Sequence, residues 1–139
     1  PFGVVCGGFG EDELEVLAET LENVLSSADA RNVRNIPIAV LGKSDLDETL
    51  EDLLGSLNER DSVVPDEALE LANPVVLLSG FSPLEVSAAT RAIAACGIRG
   101  GTKIVPPMCA VAVPKAMSKR MDQVLEELNA DHALNAPPS

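Results

Sequence analysis

A chain of 139 residues with 46% hydrophobic residues is long enough to bury a core and too apolar to stay disordered. Aromatics are only 2%, with no Trp and no Tyr, so the core must be aliphatic and the stacking residues of single-strand nucleic-acid binders are missing. A net charge of −12 argues against nucleic acid and anionic membranes as partners, and no apolar run approaches the roughly 18–20 residues that span a bilayer.

The chain starts at Pro1 rather than Met, directly on a strand-like run, which suggests that something upstream has been removed. No cleavable signal peptide is visible. Four short apolar runs predict strands at 3–6, 36–41, 75–78 and 108–113. Their continuous rather than alternating hydrophobicity suits strands covered on both faces. Helices are predicted at 11–27, 44–58, 83–96 and 114–129, each with apolar residues at three- and four-residue steps. Residues 61–73 form a linker in which Pro65-Asp66-Glu67 could open a short helix, and residues 133–139 form a flexible tail.

The elements repeat. Shifted by 72 positions, Val4-Val5-Cys6-Gly7-Gly8-Phe9 lies over Val76-Leu77-Leu78-Ser79-Gly80-Phe81, and Leu14, Leu17 and Leu21 fall on Val86, Ala89 and Ile93. Shifted by 71, Ile38 and Val40 fall on Cys109 and Val111, while Leu46, Leu50, Leu53, Leu54 and Leu57 fall on Met117, Met121, Val124, Leu125 and Leu128. One gap accounts for both blocks. The expected fold is α/β, with two β-α-β-α repeats at 2–60 and 74–132 packed as one compact pseudo-symmetric unit. A largely parallel four-stranded sheet with flanking helices follows from right-handed crossovers. The strand order stays open, as does a split, ferredoxin-like arrangement.

Both Gly-Phe turns have a structural explanation. Ser82 as N-cap, Pro83 in the first turn and Glu85 at the third position make a capping box, with Phe81 and Val86 as its hydrophobic staple. Phe9, Gly10, Glu13 and Leu14 repeat the pattern. The stretch Val76-Leu77-Leu78-Ser79-Gly80-Phe81, a helix, Pro107 before an apolar strand, and a helix ending Glu126-Glu127-Leu128 resembles a small, mainly bacterial domain family of unknown function. The resemblance spans about 74–132 and, more faintly, 2–60. It implies no activity, cofactor or catalytic residue.

No constellation for chemistry emerges from the residues. His132 stands alone beyond the last predicted helix, without a CxxC or HxxxH spacing for zinc. Cys6, Cys96 and Cys109 sit in apolar stretches and read as buried free thiols of a reducing compartment, such as a plastid stroma or bacterial cytoplasm. Asp45-Leu46-Asp47 falls short of a calcium loop. No catalytic residue, metal or cofactor is therefore expected. The loop Gly97-Ile98-Arg99-Gly100-Gly101-Thr102-Lys103 carries glycines and two cations that suit an anion, although it lacks P-loop spacing and Gly97 also fits a helix C-cap.

Charge separates the halves. Residues 1–72 hold 17 acids against four bases, a net of −13, whereas residues 73–139 have a net of +1. Lys115, Lys119 and Arg120 stand where the last helix is predicted to start, with Lys115 and Lys119 expected on one helix face. Together with Arg99 and Lys103 they are the candidate partner-binding residues. The expectation is a non-catalytic protein-interaction, assembly or regulatory subunit that binds partner proteins, singly or in a larger complex, through two differently charged repeats. A small-ligand or anion binder using strand ends or the Gly100-Gly101 loop is the alternative.

Overall fold

The computed structural model describes residues 2–28, 36–57, 69 and 71–135. They form an α/β fold in which one four-stranded mixed sheet is covered by helices on both faces. In chain order the elements are β1 (Gly3–Gly7), α1 (Glu11–Ala28), β2 (Ile38–Val40), α2 (Leu50–Gly55), β3 (Val75–Ser79), α3 (Pro83–Cys96), β4 (Met108–Val111) and α4 (Met121–Asn135). The strand order is β2-β1-β3-β4.

Two of the three pairings are parallel. β1 pairs with β2, and β3 with β4, each through a strand-helix-strand crossover. The central pairing of β1 with β3 is antiparallel, from Gly3 opposite Ser79 to Gly7 opposite Val75. The crossover rule governs each β-α-β step but says nothing about how the first strands of the two halves meet. That is why the antiparallel centre was not anticipated.

Successive strand residues face opposite sides of the sheet, so β1 and β3 divide the core into two layers. Val4, Cys6, Val76 and Leu78 meet α1 and α3 through Leu14, Leu17, Leu21, Leu25, Ala89 and Ile93. Val5, Val75 and Leu77 meet α2 and α4 through Leu50, Leu53, Leu54, Met121, Val124 and Leu125. Leu17, Leu21 and Leu25 are wholly buried, and each such side chain contributes about 1.5–3 kcal/mol relative to exposure.

Both Gly-Phe turns need glycine, because Gly8 and Gly80 have φ values of 87° and 76°, which side chains disfavour. The second capping box forms as expected: Ser82 N donates to Glu85 Oε1 at 2.8 Å, and Glu85 N donates to Ser82 Oγ at 3.2 Å. Gly97 closes α3 in the left-handed conformation. Phe81 packs in the same layer as Val86 and also stacks on Phe2, with ring centroids 5.2 Å apart.

The second and fourth helices are shorter at their starts than expected. Lys43–Asp47 and Pro114–Ala116 are 3₁₀ turns, and the α-helices begin only at Leu50 and Met121. Thr49 interrupts the first because its backbone is extended and its Oγ1 accepts from Asp52 N at 3.2 Å, capping α2. At its far end α4 runs past the predicted limit of 129, so His132 and residues 133–135 lie on the helix. The side chain of His132, residues 136–139 and the linker stretch Pro65-Asp66-Glu67 lie outside the described residues. No helix among the described residues is long and apolar enough to cross a membrane.

Candidate interaction surface at the fourth strand

β4 is an edge strand. Met108 N donates to Pro74 O at 2.8 Å and Ala112 N to Leu78 O at 2.9 Å. In a parallel ladder alternate residues of a strand bond to the same neighbour, so Met108, Ala110 and Ala112 face β3. The N–H and C=O groups of Cys109 and Val111 therefore point to the open side. The opposite edge, β2, is buried throughout, whereas β4 becomes more exposed along its length and ends at Val111, 42% accessible. Val113, just beyond the strand, is 45% accessible.

Where β4 runs out, α4 and the 3₁₀ turn at Pro114–Ala116 leave a groove of ≈ 310 Å³. Leu50, Leu77, Val111, Val113, Ala116, Val124 and Leu128 supply its apolar lining, and Lys115, Lys119, Glu127 and Asp131 its polar rim. Lys119 Nζ is held by both carboxylate oxygens of Glu127, at 2.9 and 2.8 Å, so this pair is internally neutralised. Lys115 is exposed and forms no ion pair with a described residue. It is the rim cation left available to a partner.

The five cations picked from the sequence do not gather into one patch. Lys115 and Lys119 line the same groove, but they do so from a 3₁₀ turn and the segment after it rather than from one α-helical face. Arg120 lies just before α4 and is engaged twice, with Asp47 Oδ1 at 2.6 Å and Asp122 Oδ2 at 2.9 Å. The helix begins only after these three cations and carries Asp122 in its first turn, where the macrodipole favours an acid. Arg99 and Lys103 are exposed on the loop preceding β4, at the opposite end of the strand from Lys115.

That loop is fastened by the amides an anion would use. Gly100 N donates to Val105 O, Gly101 N to Gly8 O, Thr102 N to Leu71 O and Lys103 N to Ala72 O, at 2.7–3.3 Å. A Cβ at Gly100 would lie 2.5 Å from Gly8 O, so glycine is explained by close backbone packing. From Gly100 to Lys103 the loop therefore offers no nest of free amides.

The cysteines divide. Cys6 is fully buried, and burial pushes its thiol up to about 12. Cys109, on the edge strand, is only partly covered, and burial pushes its thiol up to about 11. Cys96 is exposed, contrary to the expectation that all three are buried. The buried stripe of α3 ends at Ile93, and Cys96 is the last helical residue, its Sγ 3.1 Å from Ile93 O. Among the described residues no group of three or more His, Cys, Asp or Glu is placed to hold a metal ion.

The apolar groove was missed because its lining comes from β3, β4, α2, α4 and the turn before α4. No local signal marked it: by strand alternation Val111 shares the face of Cys109, which packs with the α1/α3 layer, whereas Leu50, Leu77 and Val124 of the groove belong to the α2/α4 layer. No protein-family model, curated protein or solved structure matches the chain.

Proposed function

We propose that this chain is a non-catalytic protein-interaction module, an assembly or regulatory subunit that binds partner proteins through two differently charged halves. The observation that carries this reading is the β4 side. An open strand edge, an apolar groove and a rim cation, Lys115, that forms no ion pair with a described residue lie together there. Strand edges and apolar grooves are the two surfaces by which extended or helical segments of other proteins are held. The acidic half, with its net of −13, repels acidic partners and speeds encounter with basic ones, so the halves suit different partners.

The two halves are read as repeats related by an approximate two-fold axis. Support comes from the matching Gly8 and Gly80 turns and from the central register, in which Val5 pairs with Leu77, its own counterpart under the 72-residue shift. A doubled unit whose halves have diverged in charge retains one scaffold and presents two surfaces.

The test is capture of partners from the native source by the wild-type chain and by Lys115→Glu, at low salt. The reading expects at least one protein to be retained by the wild type and lost from the variant. An identical retained set would remove Lys115 from the contact, and a turnover activity abolished by one side-chain change would overturn the reading as a whole.

A further inference from the structure

We infer that the partner of the β4 edge is a second copy of this chain, joined by antiparallel pairing of β4 with β4 across a two-fold axis through Ala110. This rests on the second half being a binding surface and names its occupant. The outward groups of Cys109 and Val111 fit such a pairing. With Ala110 opposite itself, Cys109 of one protomer faces Val111 of its partner. Both residues exchange N–H and C=O bonds there, giving four across the axis. Pro107 has no N–H to extend a register centred further towards the start of the strand.

Charge selects the same edge. A β2–β2 contact would bring together two halves of net −13, whereas β4 belongs to the half of net +1 and leaves the acidic halves at the far ends of the joined sheet. A head-to-tail contact of β2 with β4 would be favoured by sign. It would need β2, however, where Ile38, Ala39 and Val40 are 2%, 0% and 5% exposed. The exposed Val111 ends β4 and Val113 lies just beyond it; in this register a second copy would set its Cys109 and Pro107 beside them on both protomers. Edge strands left open in this way are templates for another chain.

The full chain is examined by sedimentation over a wide concentration range. The expected result is a rise in mass from 14.5 kDa to twice that value. Val111→Pro removes an outward N–H while sparing the Ala110 and Ala112 bonds to β3, and Val111→Lys places charge on the edge. Each should weaken association by about tenfold or more with the far-UV spectrum retained. Register is read by cross-linking in a Cys96→Ser background. Adding Val111→Cys puts Cys109 opposite the new cysteine of the partner at a Cα separation of about 5.5 Å, within disulfide range. Cys109 and its own copy stay too far apart, so Cys96→Ser alone should not cross-link. A wild type that remains monomeric, or a Val111→Cys chain that yields no linked dimer under mild oxidation, overturns the self-pairing. If capture of another protein is then lost in Val111→Pro, the interaction-module reading survives without it. If nothing is captured either, both fail.

Discussion

Thr49 and Arg120 face each other in an isolated antiparallel bridge that ties the two halves together on the α2/α4 side of the sheet. Leu50 N donates to Lys119 O at 3.0 Å, and Met121 N returns a bond to Glu48 O at 2.8 Å. Under the 71-residue shift Thr49 falls on Arg120, Leu50 on Met121 and Glu48 on Lys119. A residue bridged to its own counterpart lies on the approximate axis proposed above. The Val5–Leu77 pair marks where that axis would cross the sheet.

The bridge is a backbone feature, so its side chains should matter unequally. Thr49→Ala removes the cap on α2 and is expected to cost about 1 kcal/mol. Arg120→Ala removes two ion pairs, but the arginine side chain is 54% exposed and Asp47 is 84% exposed. Solvent screening holds that loss to well under ~1 kcal/mol. Urea denaturation of both variants checks the order. A larger loss at Arg120 than at Thr49 would mean that the ion pairs, not the cap and backbone, hold this junction.

Thiol reactivity should follow burial. Cys96 is expected to react with an alkylating reagent fastest, Cys109 more slowly and Cys6 only on unfolding, because both exposure and thiolate fraction fall in that order between Cys109 and Cys6. The raised thiols also set a pH dependence. A folded pKa above the unfolded value of 9.0 gives stability that is intact below pH 9 and lost as pH rises towards about 12 for Cys6 and about 11 for Cys109. Cys6→Val should flatten that alkaline loss. An unchanged slope would show that Cys6 is not the titrating group.

Ile104 is a β-branched residue at φ 52°, in the turn closed by Gly100 and Val105, and it is 70% exposed. The left-handed conformation costs such a residue about 1–2 kcal/mol, with little burial to offset it. Ile104→Asn, which tolerates that conformation, should raise stability by roughly 0.5–1 kcal/mol in thermal or urea unfolding. A destabilised variant would mean that the isoleucine makes contacts that outweigh its strain.

Much of the scaffold was legible because it follows from local pattern. Leu14, Leu17 and Leu21 predicted the buried stripe of α1, and Ser82, Pro83 and Glu85 predicted the start of α3. What failed was long-range. The breaks before α2 and α4 arise because Thr49 and Arg120 bridge across the chain, and Arg120 is claimed by an aspartate 73 positions away. Periodicity sees neither. Of the candidate cations, only the nearness of Lys115 and Lys119 was visible beforehand, and for the wrong geometric reason. The groove that joins them depends on Leu50 and Leu77, which the sequence presents only as core residues.

Those ion pairs change how the cationic residues should be probed. Lys119→Glu would set a second carboxylate against Glu127, now bonded at 2.8 Å, and is expected to lose up to about 1 kcal/mol. Lys115→Glu breaks no ion pair with a described residue and should change stability by less than ~0.5 kcal/mol. Thermal melts of the two single variants test this, and equal losses would contradict it. Lys115 is therefore the position at which charge reversal reports on binding rather than folding.

The most direct measurement of the account is amide hydrogen exchange along residues 108–113, in the free chain and at saturation with a binding partner, whether a captured protein or a second copy. In the free chain Ala110 and Ala112, which face β3, should exchange slowly, whereas Cys109 and Val111, which face the open edge, should exchange fast. On binding, the account predicts that Cys109 and Val111 become protected together with the groove residues of the Pro114–Ala116 turn. Exchange at Cys109 and Val111 that stays fast while protection appears elsewhere would contradict the central claim that the fourth strand is the interaction surface.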